Sequence, residues 1–533
     1  MGNKGKKKSH RDRIFLSKKM KSIMKNFLFS RIILFALILL FQLALYLFFI
    51  LWLSSYAHVL LGSNVLIVFI FMIILANSNG KNEFKIAWLV PVSIFPIFGV
   101  AMYLLYHTNG GGKRTKKRLL YLKEKTESYL PDKSIYSEKI EENAEIKGIT
   151  NFLMISDNFY PSYDSNVTYF KNGELFFEDF MAQLEKAKKF IFIEFFIIDL
   201  DESWEKIVSV LERKVADGVE VRVLYDAIGS VTASSKFYVD YLKSKGIDAQ
   251  IFLPLFPVFS TQQNNRDHRK IVIIDGHVGY TGGVNISNEY FNMEKRRFNY
   301  WKDNAIRIEG SAIRSFVIMF LQTWNISKKR DDNFKHYIES CNNANVAKNE
   351  GGVIIPYGDD AYNNQDLAEN IYLYILDNAK KYVYITTPYV LIDNQLSETL
   401  IFAAHRGVEV SIIVPSVPDH FVTFCIGRVF IKKLIDNGVK VYEYKKGFIH
   451  AKTFVSDDKI ATIGSVNLDY RSLYHHFECG ALLYNKPCIK DIKNDFEEMI
   501  QNDCKEFTQT SYKKFPWFNR MIGRILKVFA PLM

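Results

Sequence analysis

Two stretches of this sequence carry the same pattern of reactive residues at the same spacing. The first, HRKIVIIDGHVGYTGGVN, begins at His268, and the second, HAKTFVSDDKIATIGSVN, begins at His450. A lone histidine near a lysine is common on protein surfaces, whereas several positions repeated in frame are a specific signal. The repeated positions are His268, Lys270, Asp275, Gly282 and Asn285 in the first stretch and His450, Lys452, Asp457, Gly464 and Asn467 in the second.

Each stretch has the pattern of a β-hairpin that returns to its starting end. Side chains two apart on a strand leave the same face, so His268 and Lys270 should point together. An apolar run then reaches Asp275, whose residue type favours a turn. The return strand brings back small residues that let a phosphate approach, and an asparagine amide that can donate to its oxygens. The small residues are Gly282 and Gly283 in the first copy and Gly464 and Ser465 in the second.

This set of residues suits the transfer of a phosphodiester. One neutral imidazole can attack phosphorus, and a second, protonated imidazole can give its proton to the departing oxygen. Two lysines can balance the charge on the remaining phosphate oxygens. Each copy supplies one histidine and one lysine, so we expect both copies to face one shared site that needs no metal or other cofactor.

The surrounding sequence predicts two tandem α/β domains with mixed sheets. Residues 189–201 and 219–229 are short β-rich runs on either side of a helical pattern at 203–218. The same order returns with runs at 381–393 and 408–416 around a helical pattern at 396–407. A further strand precedes each histidine motif, at 246–254 and at 438–447. Alternating strands and helices are typical of α/β folds.

Composition bears on the binding partner. The chain has 533 residues and a formal net charge of +12, but the basic excess is concentrated before residue 32, where Asp12 is the only acid. A nearly neutral body beside a basic, apolar end favours an anionic lipid surface over nucleic acid. The five cysteines show no zinc-binding spacing, which predicts reduced cysteines that serve in packing.

Three apolar stretches, at 32–53, 60–76 and 86–106, predict a helical transmembrane region before the α/β domains. Basic residues flank this region at the N-terminus and at 110–118. Basic segments favour the cytoplasmic side of a membrane. Two crossings would place both basic flanks on that side, whereas three would not. The proline-bearing stretch at 86–106 is the first candidate for one that fails to span. Residues 513–533 have an amphipathic pattern, which fits either an interfacial helix or a helix docked on the domain surface.

The motifs resemble the duplicated signature of the phospholipase D superfamily. The surrounding stretches, including IEFFIIDLD, NNRDHRKIVIIDG, GFIHAKTFVSDD and IGSVNLDYRS, are similar to bacterial cardiolipin synthases of that superfamily, from about residue 60 onward. The resemblance implies that two phosphatidylglycerols become cardiolipin and glycerol through a phosphatidyl-histidine, without a metal. It also implies a bacterial cell-membrane protein with several crossings, and we favour catalytic domains on the cytoplasmic side. The oligomeric state stays open.

The resemblance also assigns roles to residues. It makes a catalytic set of His268, Lys270, Asp275, His450, Lys452 and Asp457, with the two aspartates supporting the histidines. Asn285 and Asn467 would bind phosphate. Three acids have supporting positions: Glu194, Asp303 and Glu478. Glu478 either orients His450 or forms a structural ion pair, and Glu194, in an apolar strand, needs a partner because an unpaired buried carboxylate is costly.

Two other acceptors would use the same machinery. With water the enzyme would be a phospholipase D, and with serine and a nucleotide-activated lipid it would be a phosphatidylserine synthase. A nuclease is a more distant alternative.

The predicted divisions are a basic tail (1–31), a membrane region (32–106), a basic linker helix (107–130), a first phospholipase D-like domain (131–330), a connection (331–352), a second such domain (353–505) and an amphipathic C-terminal helix (506–533).

Overall fold

The computed structural model describes residues 36–48, 51, 57–107, 110–130, 144–254, 265–294, 297–326, 328, 331–341, 349–363 and 365–533. The chain divides into two compact units. The first comprises residues 1–114, 255–264 and 524–533, and the second comprises residues 115–254 and 265–523. The predicted basic tail lies outside the described residues.

Helices form the described part of the first unit. They are a helical segment at 36–48, α1 (Ala57–Ala76), α2 (Asn82–Ile94), α3 (Pro96–His107) and a 3₁₀ helix (Lys527–Leu532). Phe71, Leu75, Trp88 and Val92 form the buried core of this unit. A Cβ on Gly99 would lie 2.5 Å from the Val92 Cα, so a glycine is needed where α2 and α3 approach each other.

The predicted transmembrane region, and with it the multi-pass location in a cell membrane, is a wrong prediction. Among the described residues, no helix is both long enough and apolar enough to cross a membrane. The stretch at 86–106 is divided at Phe95 between α2 and α3, of 13 and 12 residues. At 1.5 Å per residue, each covers about 20 Å, whereas the hydrocarbon core is about 30 Å thick. In the stretch at 32–53, residues 36–48 form a helical segment, and residues 32–35, 49, 50, 52 and 53 lie outside the described residues.

The second unit contains two large mixed sheets of matching design, which confirms the predicted α/β class. In the first sheet the strand order is β1-β8-β6-β5-β2-β3-β4, and β2, β3 and β4 run parallel. Antiparallel pairing joins β5 to β2 and to β6. The strands are β1 (Asn166–Phe170), β2 (Phe190–Phe195), β3 (Glu220–Asp226), β4 (Asp248–Phe252), β5 (Lys270–Ile274), β6 (Val278–Gly282) and β8 (Ala305–Glu309).

The second sheet repeats this arrangement with the order β19-β13-β12-β10-β15-β16-β18-β9. Its parallel strands are β10, β12 and β13, and β15 pairs antiparallel with both β10 and β16. The strands are β9 (Val353–Asp359), β10 (Tyr382–Thr386), β12 (Glu409–Pro415), β13 (Lys440–Tyr444), β15 (Thr453–Ser456), β16 (Ile460–Gly464), β18 (Glu478–Tyr484) and β19 (Cys504–Glu506). We call the parts that build the first and second sheets the first and second halves.

Helices cover these sheets and connect their strands. In the first half they are α5 (Ala144–Asp157), α6 (Gly173–Lys186), α7 (Glu202–Ala216), α8 (Lys236–Ser244), α9 (Ile313–Asn325) and α10 (Phe334–Cys341), preceded by α4 (Gly110–Glu127). In the second half they are α11 (Leu367–Asn378), α12 (Asn394–His405), α13 (Phe421–Asp436), α14 (Tyr470–Tyr474), α15 (Cys488–Asn502), α16 (Gln509–Lys514) and α17 (Trp517–Leu526). The five cysteines are unpaired, as predicted.

Short strands connect the two halves directly. β7 (Trp301–Lys302) of the first half pairs parallel with β14 (Phe448–Ile449) of the second. An isolated parallel bridge joins Asp267 of the first half to Phe477 of the second half. Another two-stranded sheet, β11 (Val390–Leu391) with β17 (Leu468–Asp469), lies within the second half. The residue just before each motif histidine therefore pairs through its backbone with the other half.

Candidate active site

His268 is oriented by a carboxylate from the second half. Its backbone N–H donates to the carbonyl of Phe477 at 2.9 Å, which places it beside the first residue of β18. That residue is Glu478, whose two carboxylate oxygens lie 2.9 and 3.0 Å from Nδ1 of His268. Both side chains are buried. Of the two roles predicted for Glu478, the orientation of His450 is wrong, because Glu478 contacts the other histidine.

His450 is oriented by a carboxylate from the first half. Its backbone N–H donates to the carbonyl of Lys302 at 2.7 Å, at the end of the β7–β14 pairing. The next residue in the first half, Asp303, places Oδ2 at 2.7 Å from Nδ1 of His450. The two histidine–carboxylate pairs thus cross between the halves, so neither half holds its own histidine in place.

Both imidazoles are neutral near pH 7. Burial lowers the pKa of His268 to about 3, although Glu478 acts in the opposite direction. Burial, followed by the Lys452 charge, lowers the pKa of His450 to about 4. Burial alone would raise the pKa of Glu478 and of Asp303, but the basic groups around each carboxylate hold both pKa values below their usual range. A charged carboxylate at Nδ1 leaves Nε2 as the reactive nitrogen.

Lys270 and Lys452 place the two motifs in one electrostatic environment. The Nζ of Lys270 donates to the carbonyl of His268 at 2.5 Å, and the Nζ of Lys452 lies 2.7 Å from Nδ1 of His450. Burial lowers the pKa of Lys270 to about 8 and that of Lys452 to about 7. The Lys270 charge also lowers the pKa of both His450 and Lys452, so groups from the two copies act on each other within a single site.

The pKa values of these two lysines predict where kcat/KM falls at high pH. Only a charged ammonium can stabilise a phosphate, and both pKa values lie well below the usual lysine value. We expect kcat/KM to fall as the pH rises through about 7 to about 8, because this parameter reports on the free enzyme. The profile of kcat should fall at higher pH, since a bound phosphate raises the pKa of both lysines. A kcat/KM that still rises at about pH 9 would contradict this role.

The small residues of each motif make room for the orienting carboxylates. A Cβ on Gly283 would lie 2.1 Å from Oδ1 of Asp303, so a side chain there would displace the partner of His450. At the matching position of the second copy, the Ser465 hydroxyl donates to Glu478 and accepts from the Cys479 N–H at 3.0 Å. Gly282 and Gly464 sit equally close to neighbouring backbone, where a Cβ would lie 2.5 and 2.3 Å from carbonyl oxygens.

Asn285 and Asn467 are buried and lie three residues beyond the return strands. Oδ1 of Asn285 accepts from the Ile197 N–H at 3.1 Å, and its Nδ2, which lies near the Tyr290 hydroxyl, makes no well-formed hydrogen bond. Nδ2 of Asn467 donates to Asp469 at 3.1 Å. An amide nitrogen keeps a donor for a phosphate oxygen in both cases, because each NH₂ group has two hydrogens.

Asp275 and Asp457 do not contact the histidines, which corrects the predicted catalytic set. Asp275 accepts from the backbone N–H groups of residues 188, 189 and 190 at 2.6–2.9 Å. Asp457 accepts from those of residues 380, 381 and 382 at 2.7–3.0 Å. Each aspartate lies beyond the far end of its strand, about 20 Å along an extended chain from its histidine. Their positive φ values, 56° and 54°, suit Asp in a tight turn.

These contacts predict a structural phenotype for the aspartates. Asp275→Asn and Asp457→Asn should each cost about 1–3 kcal/mol of stability, since an amide opposes one of the three donors. Turnover of the folded variants should stay within a few-fold of the parent. Thermal melts and steady-state rates, measured on the same preparations, check both statements. A variant that melts normally yet loses turnover would return that aspartate to the catalytic set.

Glu194 lies on the face of the first sheet away from His268. Its closest basic group is Arg269, with 4.0 Å between Oε1 and Nη1, and Arg269 leaves the strand opposite to His268. Burial, and then the charge of Asp267, raise the pKa of Glu194 well above its usual value. Arg269 also donates to the Thr323 hydroxyl at 2.8 Å. Glu194 is thus a member of a buried structural cluster.

The motifs alone did not indicate three neighbours of the histidines. Phe196 and His476 lie beside His268, with ring centroids at 4.9 and 5.5 Å. Trp301 lies beside His450, with ring centroids at 5.4 Å. His476 and Trp301 each come two residues before an orienting carboxylate, so the spacing to Glu478 and Asp303 is the signal that could have found them.

Two α/β halves that each supply a His-x-Lys pair to one buried site define a phospholipase D-like phosphotransferase. The sequence profile described as "Cardiolipin synthase, PLD-like domain" matches residues 180–315 and 372–500. Cardiolipin synthase 2 of Bacillus anthracis is 31% identical over 460 residues, which cover 85% of this chain and 88% of that protein. The chain therefore belongs to the cardiolipin synthase family and is a phosphatidyltransferase of the phospholipase D superfamily.

Two further comparisons give one relative by sequence and one by fold. An uncharacterised protein of Streptococcus mutans is 41% identical over 463 residues, which cover 86% of this chain and 98% of that protein. The crystal structure of a phosphatidylserine synthase from Haemophilus influenzae matches with a TM-score of 0.53 and 16% identity. The match covers 75% of this chain and 98% of the phosphatidylserine synthase chain. At that identity the likeness concerns the fold alone.

Proposed function

We propose that this cardiolipin synthase transfers the phosphatidyl group of one phosphatidylglycerol to the hydroxyl of another and releases glycerol. The substrates are phospholipids, as the names of the relatives indicate for those proteins. The observation that carries the proposal is the crossed pair of contacts, His268 with Glu478 and His450 with Asp303. Two neutral, oriented imidazoles in one site suit a two-step transfer through a covalent intermediate.

In this proposal His268 is the nucleophile. Glu478 holds the Nδ1 hydrogen with both oxygens, so the lone pair of Nε2 is available to attack phosphorus. The Nε2–P bond forms as the bond from phosphorus to the glycerol oxygen breaks. Lys270, Lys452 and the amides of Asn285 and Asn467 would hold the phosphate oxygens, which carry the negative charge through the transition state.

His450 is the proton carrier. Its Nδ1 donates to Asp303 at 2.7 Å, so the hydrogen of the neutral ring lies on Nδ1, and the phosphate of the bound substrate favours a second proton on Nε2. The Nε2 proton passes to the departing glycerol oxygen, and Nδ1 keeps its hydrogen and its contact with Asp303 throughout. In the second step His450 takes the proton of the incoming hydroxyl, the new P–O bond forms, and the bond from His268 to phosphorus breaks.

The test is to supply purified protein with phosphatidylglycerol alone and to identify the products. We expect cardiolipin and free glycerol in equal amounts, because each transfer forms one of each. Phosphatidic acid as the main product would instead make the protein a phospholipase D. A parallel reaction with serine and a nucleotide-activated lipid covers the remaining acceptor, and efficient formation of phosphatidylserine there would overturn the proposal.

A further inference from the structure

A third group with metal-binding chemistry lies beside His268 and Glu478. His476 points its Nδ1 toward Glu478, with 3.7 Å between that nitrogen and Oε1, which is too long for a hydrogen bond. The His476 side chain is only 10% exposed, and its Nδ1 makes no well-formed hydrogen bond. A buried imidazole nitrogen without a hydrogen bond is costly, so a ligand for this atom would remove an existing penalty.

The three side chains together offer a compact set of ligand atoms. One nitrogen of His268, one nitrogen of His476 and one oxygen of Glu478 all lie within 4.8 Å of one another. Within the described residues, this is the one group of histidine, cysteine and acidic side chains close enough to hold a metal ion. Two imidazoles and a carboxylate, with a fourth position left for water, are a ligand set typical of Zn²⁺. Mg²⁺ and Ca²⁺ prefer oxygen ligands and do not suit it.

Within the part of the chain that the structure describes, His450 has no comparable neighbour. Two residues before Asp303, in the place that His476 occupies before Glu478, the sequence has Trp301. The Trp301 ring packs against His450 with centroids at 5.4 Å and offers no metal ligand. Among the described residues, the possible metal ligands therefore lie on the side of His268 and have no counterpart on the side of His450.

We propose that His268, His476 and Glu478 form a site for Zn²⁺ or a similar transition-metal dication, and that its occupancy inhibits the enzyme. The binding of the ion follows from the three ligands alone, whereas inhibition rests on the proposed role of His268 as nucleophile. A metal bound to His268 takes the imidazole lone pair or displaces Glu478 from Nδ1, and either change stops attack on phosphorus. The charges of Lys270 and Lys452 oppose a dication, which favours reversible regulation over permanent occupancy.

Binding is tested by titrating Zn²⁺ into the metal-free full-length protein with calorimetry, and by following the visible absorption of Co²⁺ at the same site. We expect one ion per chain. His476→Gln should weaken binding by more than about tenfold. His475→Gln is the matched control, since it removes the adjacent histidine and should leave the affinity unchanged. Equal binding by His476→Gln and the parent would overturn the proposal, as would no binding by the parent.

Inhibition is tested separately, so that the site and the proposed reaction can fail independently. Zn²⁺ should slow the parent and His475→Gln, and a chelator should restore both rates, whereas the rate of His476→Gln should not respond to zinc. Melting temperatures show whether His476→Gln is folded, and Glu478→Gln serves as a second ligand variant in the binding assay. Binding without inhibition would place the metal as proposed and contradict the role of His268.

Discussion

His268→Ala and His450→Ala should each lower turnover by about 10⁴-fold or more, because one removes the nucleophile and the other removes the proton carrier. The loss should be similar for both, since a complete cycle needs the nucleophile and the proton carrier. The measurement is the steady-state formation of cardiolipin from phosphatidylglycerol. Substantial turnover by either variant would contradict a shared site.

A matched substitution separates this effect from general damage. His405→Ala changes an exposed histidine at the end of α12 in the second half and should leave the rate unchanged. The two site variants should also differ in their partial reactions. His450→Ala retains the nucleophile and can still form the covalent intermediate slowly, whereas His268→Ala cannot form it.

Glu478→Gln and Asp303→Asn should each lower turnover by about 10³–10⁴-fold, because an amide in place of the carboxylate favours the wrong histidine tautomer. Both are positioning residues, since they act through the histidine that they hold. The crossed contacts predict which step each substitution damages. Glu478→Gln impairs attack by His268, and Asp303→Asn impairs proton transfer by His450.

A substrate with an acidic leaving group tests this assignment. Phosphatidyl-p-nitrophenol releases a phenolate that needs no proton, so its first step depends on the nucleophile and hardly on the proton carrier. We expect Asp303→Asn to recover most of the initial burst of p-nitrophenol, and Glu478→Gln to recover little. The opposite pattern would show that the two histidines have exchanged roles. Damage to folding alone would reduce both bursts equally.

The strands and the histidine motifs were predictable from local sequence patterns. The β-rich runs at 189–201 and 381–393 indicate β2 and β10, and the two-residue spacing of His268 and Lys270 places both side chains on one face. The strongest signal was duplication, because one pattern repeated in frame implies one structure repeated in space. The structure confirms both the hairpins and their mixed sheets.

The pairing across the halves was not predictable in this way. Glu478 follows His450 closely in the chain, which suggested a contact within one half, whereas packing of the halves brings it to His268. Asp275 belongs to the motif by spacing, yet a strand separates it from His268 and it caps backbone N–H groups instead. Periodicity describes how one segment is buried and contains no information on which half it faces.

The apolar stretches show the same limit. The prolines at 86–106 made this stretch the first candidate for one that fails to span, but only the structure shows that the chain divides there into α2 and α3, whose residues pack around Trp88 and Val92. Gly283 illustrates the limit at a single residue. A glycine in the motif suggested room for phosphate, and only the structure shows that the space is needed for Asp303.

The central claim is that His268 carries the phosphatidyl group between the two substrates. The most direct measurement is to mix the protein with isotopically labelled phosphatidylglycerol, quench within the first turnover and locate the label by peptide mass spectrometry. The label should reside on the peptide that contains His268, and should disappear in His268→Ala. Label on the peptide that contains His450, or direct transfer with no labelled residue during active turnover, would contradict the account.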